Sequence, residues 1–297
     1  MKQEIVRWIP AIGWLGSYQK QDLQGDLTAG ITTAVMLIPQ AMAYALLAGL
    51  PPVIGLYASI VPLLVYAFLG TSRQLAVGPV AMVALLVSSG IGAIVAPGDI
   101  ERYVALTVTL ALMVGVIQLA MGVFRLGFMT NFLSHPIISG FTSAAALIIG
   151  FSQLKHIVSL NLPRTENILE LLLMVAQQAS DINMATLILG VVTIILLFVF
   201  KRIHPLIPGA LILVIISSLI TWGFNLTEVG VKIVGTVPAG LPSVTVPTID
   251  WSEITALLPI ALTISFVGFM ESIAVGKQIA TEKGYEIESN QELIALG

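Results

Sequence analysis

Residues 27–72 read LTAGITTAVMLIPQAMAYALLAGLPPVIGLYASIVPLLVYAFLGTS and contain no charged side chain. A bilayer crossing needs roughly 20 apolar residues, so the stretch is long enough for two. Pro39-Gln40 falls in the middle of the first, and Pro51-Pro52 lies between them. Proline and glutamine inside a span cost stability unless they meet a cavity or another helix. The stretch therefore predicts an all-α polytopic membrane protein built around a polar site.

The rest of the composition agrees. The chain has 297 residues, 57% apolar and 10% charged, with a mean hydropathy of +0.99. Soluble domains carry about 25% charged residues, which excludes a water-soluble fold. Cysteine is absent, so disulfides, thiolate metal sites and a cysteine nucleophile are excluded. A net charge of −3 without a polybasic tract points away from nucleic acid and from a dedicated lipid-headgroup site. The first residues lack the short apolar core and small-residue cleavage site of a signal peptide. Residues 1–21 read instead as a cytoplasmic lead-in, with Trp8 and Trp14 at headgroup level. No phosphate-binding Gly-Lys loop, His-Glu zinc motif or Gly-x-Ser-x-Gly elbow occurs, and His135, His156 and His204 have no metal-site spacing. Neither an enzyme nor a cofactor is expected.

Uncharged segments run roughly over 27–48, 53–70, 74–96, 103–124, 131–154, 182–200, 206–224 and 254–276, the last with one acid. Eight crossings put both chain ends on one side. That side would hold Lys2, Arg7, Lys20, Arg73, Arg125, Lys201, Arg202, Lys277 and Lys283, against Arg102, Lys155, Arg164 and Lys232 on the other. The excess of positive charge predicts a cytoplasmic N-terminus in a plasma or inner membrane. The stretch from Glu166 to Gln177 is amphipathic and suits the interface, and Val231–Val237 reads as a short extended segment. The organisation expected is a lead-in over 1–21, a first transmembrane repeat over 22–225, an extracytoplasmic loop over 226–252 and the start of a second repeat over 253–297.

Three places could carry chemistry. Gly78-Pro79 would break a helix, and proline favours the first turn of a new one. An extended stub to about Val77 and a half-helix from Pro79 or Val80 would aim unpaired N–H groups at a ligand, an anion site without basic side chains. A simple kinked helix is the alternative. The Gln40 amide offers two donors and an acceptor, suited either to an oxyanion or to a helix–helix hydrogen bond. Tyr44, four residues on, shares its face. Glu271 is the acid of the last span; it either faces a cavity as a proton-exchanging coupling group or sits at the interface six residues before Lys277.

The residues also carry a resemblance. Asp26 through Pro52, Gly55-Leu-Tyr-Ala-Ser59 with Tyr66 and Gly70-Thr-Ser-Arg73, Asn131 through Thr142 with Gly150–Lys155, and Glu271–Lys277 with Tyr285 and Asn290–Gly297 resemble successive motifs of the SulP family of inorganic anion transporters. Ile54 stands where the family usually has Tyr. The resemblance implies a 7+7 inverted-repeat fold with broken half-helices, here the first repeat plus one span of the second, in a core and a gate domain. It implies anion binding between the half-helices of spans three and ten, and a homodimer when full length. Gln40, Tyr44, Val77, Gly78, Pro79 and Val80 would then line the substrate site, and Glu271 would serve both substrate and coupling. The tenth span and the family's C-terminal STAS domain lie outside this sequence, which is expected to be partial.

The function expected is secondary active transport of an inorganic anion, most simply sulfate, by proton symport or anion exchange. Bicarbonate, chloride or dicarboxylate transport and an anion channel are the alternatives.

Overall fold

In a computed structural model of the chain, residues 8–96, 98–132, 135–160, 162, 168–203, 209–235, 240 and 250–297 are described. Every regular element among them is helical. Each of the eight apolar segments carries a helix. Among the described residues, five helical segments are long and apolar enough to cross a membrane: Lys20–Ala48, Pro52–Leu69, Ile100–Val123, Met184–Ile203 and Trp251–Lys283.

A five-residue helix α1 (Ala11–Leu15) precedes α2 (Lys20–Ala48). The lead-in is thus partly helical, and the first span starts before Leu27. A capping box explains the early start: the Asp22 carboxylate accepts from Gln19 N at 2.9 Å, satisfying a donor that the helix start would orphan. Helix α2 continues through Pro39 and ends at Gly49, whose φ of +83° suits glycine. Leu50 N closes the end on Ala45 O at 2.8 Å.

Pro51-Pro52 lies between the first two spans, where a turn is expected, and Pro52 already opens the next helix, but the second span is broken. It consists of α3 (Pro52–Ala58) and α4 (Val61–Leu69), with Pro62 in the first turn of α4. Proline there withholds its N–H and clashes with the preceding turn, which forces the interruption. An irregular stretch then leads to α5 (Ala81–Gly92), and α6 (Ile100–Val123) follows.

The chain divides into two units, one of Met1–Ala29, Gln40–Ser139 and Pro238–Gly297, the other of Gly30–Pro39 and Gly140–Val237. The second unit includes most of α7 (His135–Ile157), α8 (Ile168–Gln177), α9 (Met184–Ile203) and α10 (Gly209–Gly223). The amphipathic stretch forms α8, whose Leu171 is buried with Val158, Leu160 and Leu162. Residues 231–235 form no ladder, and residues 236–237 of the expected extended segment lie outside the described residues, as do Arg164, Glu166 and His204.

The first unit holds every candidate site residue. Its frame is α6, packed on α11 (Trp251–Lys283) and on α12 (Ser289–Leu296). Gly115 and Gly122, one face of α6, make this approach possible. A Cβ on Gly122 would meet Ile294 at 2.6 Å, and one on Gly115 would meet Gly297 O at 2.9 Å. Phe269, Ile273 and Leu293 form the core between α11 and α12.

Candidate anion site

The third segment has the expected break, placed slightly later than expected. Leu75–Val80 has no regular hydrogen bonding, and the half-helix begins at Ala81 rather than at Pro79 or Val80. Pro79 fixes its own φ and disfavours helical geometry at Gly78, while Val80 is extended at φ −125°, ψ 146°. The first intrahelical bond runs from Ala84 N to Val80 O at 3.0 Å. The N–H groups of Ala81, Met82 and Val83 therefore precede the ladder. Val77, Gly78, Pro79 and Val80 are half-buried.

Three close approaches fix the register of α11 against this segment. Gly90 lies against Ile260, Gly268 faces Val83 with an added Cβ 3.9 Å from its Cγ2, and Gly276 faces Leu75 at 4.0 Å. The two run antiparallel. Glu271, between Gly268 and Gly276, is therefore level with the Gly78–Val80 turn. Its Oε2 atom is buried and has no hydrogen-bond partner among the described residues. Burying such an atom without a partner costs about 1–3 kcal/mol, so an orphan acceptor at this level calls for a proton or a ligand group.

Gln40 and Tyr44 do share a face of α2. Gln40 Nε2 donates to Tyr44 Oη at 2.9 Å; Gln40 is exposed and Tyr44 half-buried. The described bonds join these two to each other and do not join them to Glu271 or the turn. Their helix is held in the unit by neighbours of the pair. Ala41 packs directly on Gly55, and Tyr103 Oη of α6 donates to Ala48 O at 2.6 Å. Ala48 O lies at a helix end followed by Pro51-Pro52, where backbone donors are scarce.

Sequence reasoning missed several polar groups. Gln118 Nε2 donates to Ser265 O at 3.0 Å, and both residues are buried, which bonds α6 to α11 just before Gly268. A lone glutamine in the apolar 103–124 run is the signal that could have found it. Glu292, only 1% exposed, sits in a segment whose composition gives no hint of burial. Among the described residues no cluster of His, Cys, Asp and Glu is placed to hold a metal.

The first unit thus sets a broken third helix and a half-buried acid level with the break together with a polar pair on the first helix, and comparison with known proteins supplies the family. The family model described as the sulfate permease family matches residues 23–297. The chain belongs to that family. It is 38% identical over 307 residues to sulfate transporter 4.1, chloroplastic, of Arabidopsis thaliana, covering 100% of this chain and 44% of the relative. It is 36% identical over 329 residues to the sodium-independent sulfate anion transporter of Bos taurus, covering 98% of this chain and 52% of the relative. Among solved structures, the murine Solute Carrier 26 family member A9 anion transporter in its inward-facing state matches at a TM-score of 0.90 and 29% identity, over 99% of this chain and 52% of that one. The chain thus shares the all-helical transmembrane fold of the permease family and spans about half the length of the curated relatives it matches.

Proposed function

We propose that the protein carrying this chain moves an inorganic oxyanion, with sulfate as the main substrate, across a membrane by secondary active transport. The observation that carries the reading is the orphan Oε2 of Glu271 at the level of the Gly78–Val80 turn. The N–H groups of Ala81, Met82 and Val83 can donate to an oxyanion without a basic side chain, helped by the helix dipole. Gln40 and Tyr44 would add side-chain donors, and Val77–Val80 would shape the pocket. Membership of the sulfate permease family and relatives named as sulfate transporters support the choice of anion.

Glu271 supplies the coupling. An ionised carboxylate and an anion about 4 Å apart repel by about 4 kcal/mol for each negative charge on the anion at an effective dielectric of 20, so the two exclude each other. A proton on Glu271 removes the repulsion, which makes the anion and a proton fellow passengers. The protein would reside in the plasma or inner membrane with its N-terminus cytoplasmic, and would act as a homodimer.

The test is uptake of labelled sulfate by the complete gene product in liposomes, with unlabelled anions as competitors and a pH gradient as drive. Saturable uptake with trans-stimulation, competed best by sulfate, is expected. Large conductance without saturation would make the protein a channel, and stronger competition by bicarbonate, chloride or a dicarboxylate would reassign the substrate.

A further inference from the structure

We infer that Glu292 is a positioning residue for the anion site, clasping the irregular stub that carries the half-helix donors. The inference rests on the transport reading above for its kinetic consequence, though not for its structural one.

Glu292 sits on α12 and is buried at 1% exposure. Its Oε2 accepts from Tyr66 Oη at 2.7 Å, and its Oε1 accepts from both the backbone N–H and the hydroxyl of Thr71, at 2.7 and 2.5 Å. A carboxylate has lone pairs for all three donors at once, which an amide does not. Ionised acceptors also make the shorter and stronger hydrogen bonds. Tyr66, itself buried, lies with its ring against Gly70, where an added Cβ would meet ring carbons at 2.6 Å.

Gln291 and Tyr285, near Glu292 in sequence, extend the clasp. Gln291 Nε2 donates to Leu69 O at 2.8 Å, satisfying a carbonyl at the end of α4. Tyr285 Oη donates to Gln74 Oε1 at 2.6 Å and lies 3.2 Å from Ser72 Oγ, which accepts from Leu75 N at 3.3 Å. Leu69, Thr71, Ser72 and Gln74 are thus held in sequence by residues 285–292.

Beyond Gln74 the chain loses any ladder. Leu75–Val80 has no helix or strand bonding of its own, so its course is set by its two ends. Downstream it is held where Gly268 and Gly90 pack α5 and α11 together. Upstream it is held by the clasp. Loosening the clasp should let the stub, and with it the entry to the Ala81–Val83 donors, leave the position set by α11. Misplacing binding groups by about 1 Å can cost on the order of 100-fold.

The experiment uses the complete gene product in liposomes with Glu292→Ala, Glu292→Gln and Tyr66→Phe, counting folded copies in each preparation. Glu292→Ala should raise the KM for sulfate at least about tenfold, more than it lowers kcat, because the donors are misplaced. Glu292→Gln keeps one acceptor for Thr71 and should recover part of the loss. The pH profile of uptake should stay that of the unaltered protein. An unchanged KM with only fewer folded copies would overturn the inference. If Glu292→Ala does not fold, Tyr66→Phe removes one donor and should give a smaller rise in KM; no rise would be equally damaging. A second measurement is independent of transport. Hydrogen exchange at the amides of Leu75–Gly78 and Val80–Val83 should quicken in the same variants while the α6 amides hold steady, and unaltered exchange there would overturn the clasp. If the unaltered protein takes up no sulfate but exchange responds as expected, the transport reading fails and the clasp stands.

Discussion

Gly90 of the half-helix and Ile260 of α11 are in direct contact: a Cβ on the glycine would sit 2.6 Å from Ile260 Cγ1 and 3.1 Å from its Cβ. The neighbouring atoms belong to the base of a branched side chain, which cannot swing away as a flexible tip would. Gly90→Ala should therefore push α5 off α11, at the roughly 1–3 kcal/mol typical of overpacking. The expected outcome is a Tm lowered by several degrees in detergent together with weaker sulfate binding. A variant with unaltered Tm would show that the two helices can part freely, and the placement of Glu271 would lose one of its three fixed points.

A second prediction separates the two readings of Gln40. Its Nε2 donates to Tyr44 Oη, which accepts there and keeps its own proton to donate. If the pair faces the anion, Gln40→Ala removes a donor to a charged ligand, and such bonds contribute about 1.5–3 kcal/mol. Sulfate affinity should then fall roughly tenfold or more by the same figure, measured by calorimetry on the purified full-length protein, and Tyr44→Phe should weaken it as well. Equal affinity in both variants would return the pair to a helix-packing role.

These two cases differ in what the sequence could show. The half-helix is legible because Gly78-Pro79 is a strong breaker in an otherwise uncharged run, and its start falls at Ala81 because Val80 is extended as the N-cap residue. The Gln40–Tyr44 pairing follows from their spacing of four. The break of the second span at Ser59-Ile60 escapes a reading by charge and length alone, although Pro62 marks it. That same criterion cuts α2 at Leu27, whereas the Gln19–Asp22 box carries the helix back to Lys20. Glu292 is illegible for another reason. Its burial depends on Tyr66 and Thr71, more than two hundred residues away in sequence, and no local pattern announces such a partner.

A third prediction concerns the entry to α11. The Asp250 carboxylate caps that helix, accepting from Ser252 N at 2.9 Å and from Ser252 Oγ at 2.9 Å. Those bonds, with a smaller contribution from Arg102, hold its pKa below the ordinary 3.8. A folded-state pKa that is depressed adds stability that is complete above the ordinary value and is lost as pH falls through the lower folded one. Asp250→Ala should therefore lower thermal stability at neutral pH, and the gap to the unaltered protein should narrow only in strong acid, below about pH 4. A gap that closes near pH 6 would assign the effect to another group.

The last prediction tests coupling at Glu271. The reading requires that an ionised carboxylate and a bound oxyanion exclude each other, which at about 4 Å and an effective dielectric of 20 is a repulsion of about 4 kcal/mol for each charge on the oxyanion. In the unaltered protein sulfate binding should weaken as pH rises, because proton loss brings back the repelling charge. Glu271→Gln keeps the shape and polarity of the side chain but is neutral at every pH. Its sulfate affinity should be flat across the same range and, at high pH, at least equal to that of the unaltered protein. Uptake driven by a proton gradient should nevertheless fall, because the residue that would carry the proton is gone. Loss of drive with retained binding is the signature of a coupling group; a lost donor to the anion would weaken binding at every pH. A Glu271→Gln protein that keeps the pH slope of sulfate binding would place the coupling proton elsewhere, and the buried Oε2 level with Gly78–Val80 would then need another partner.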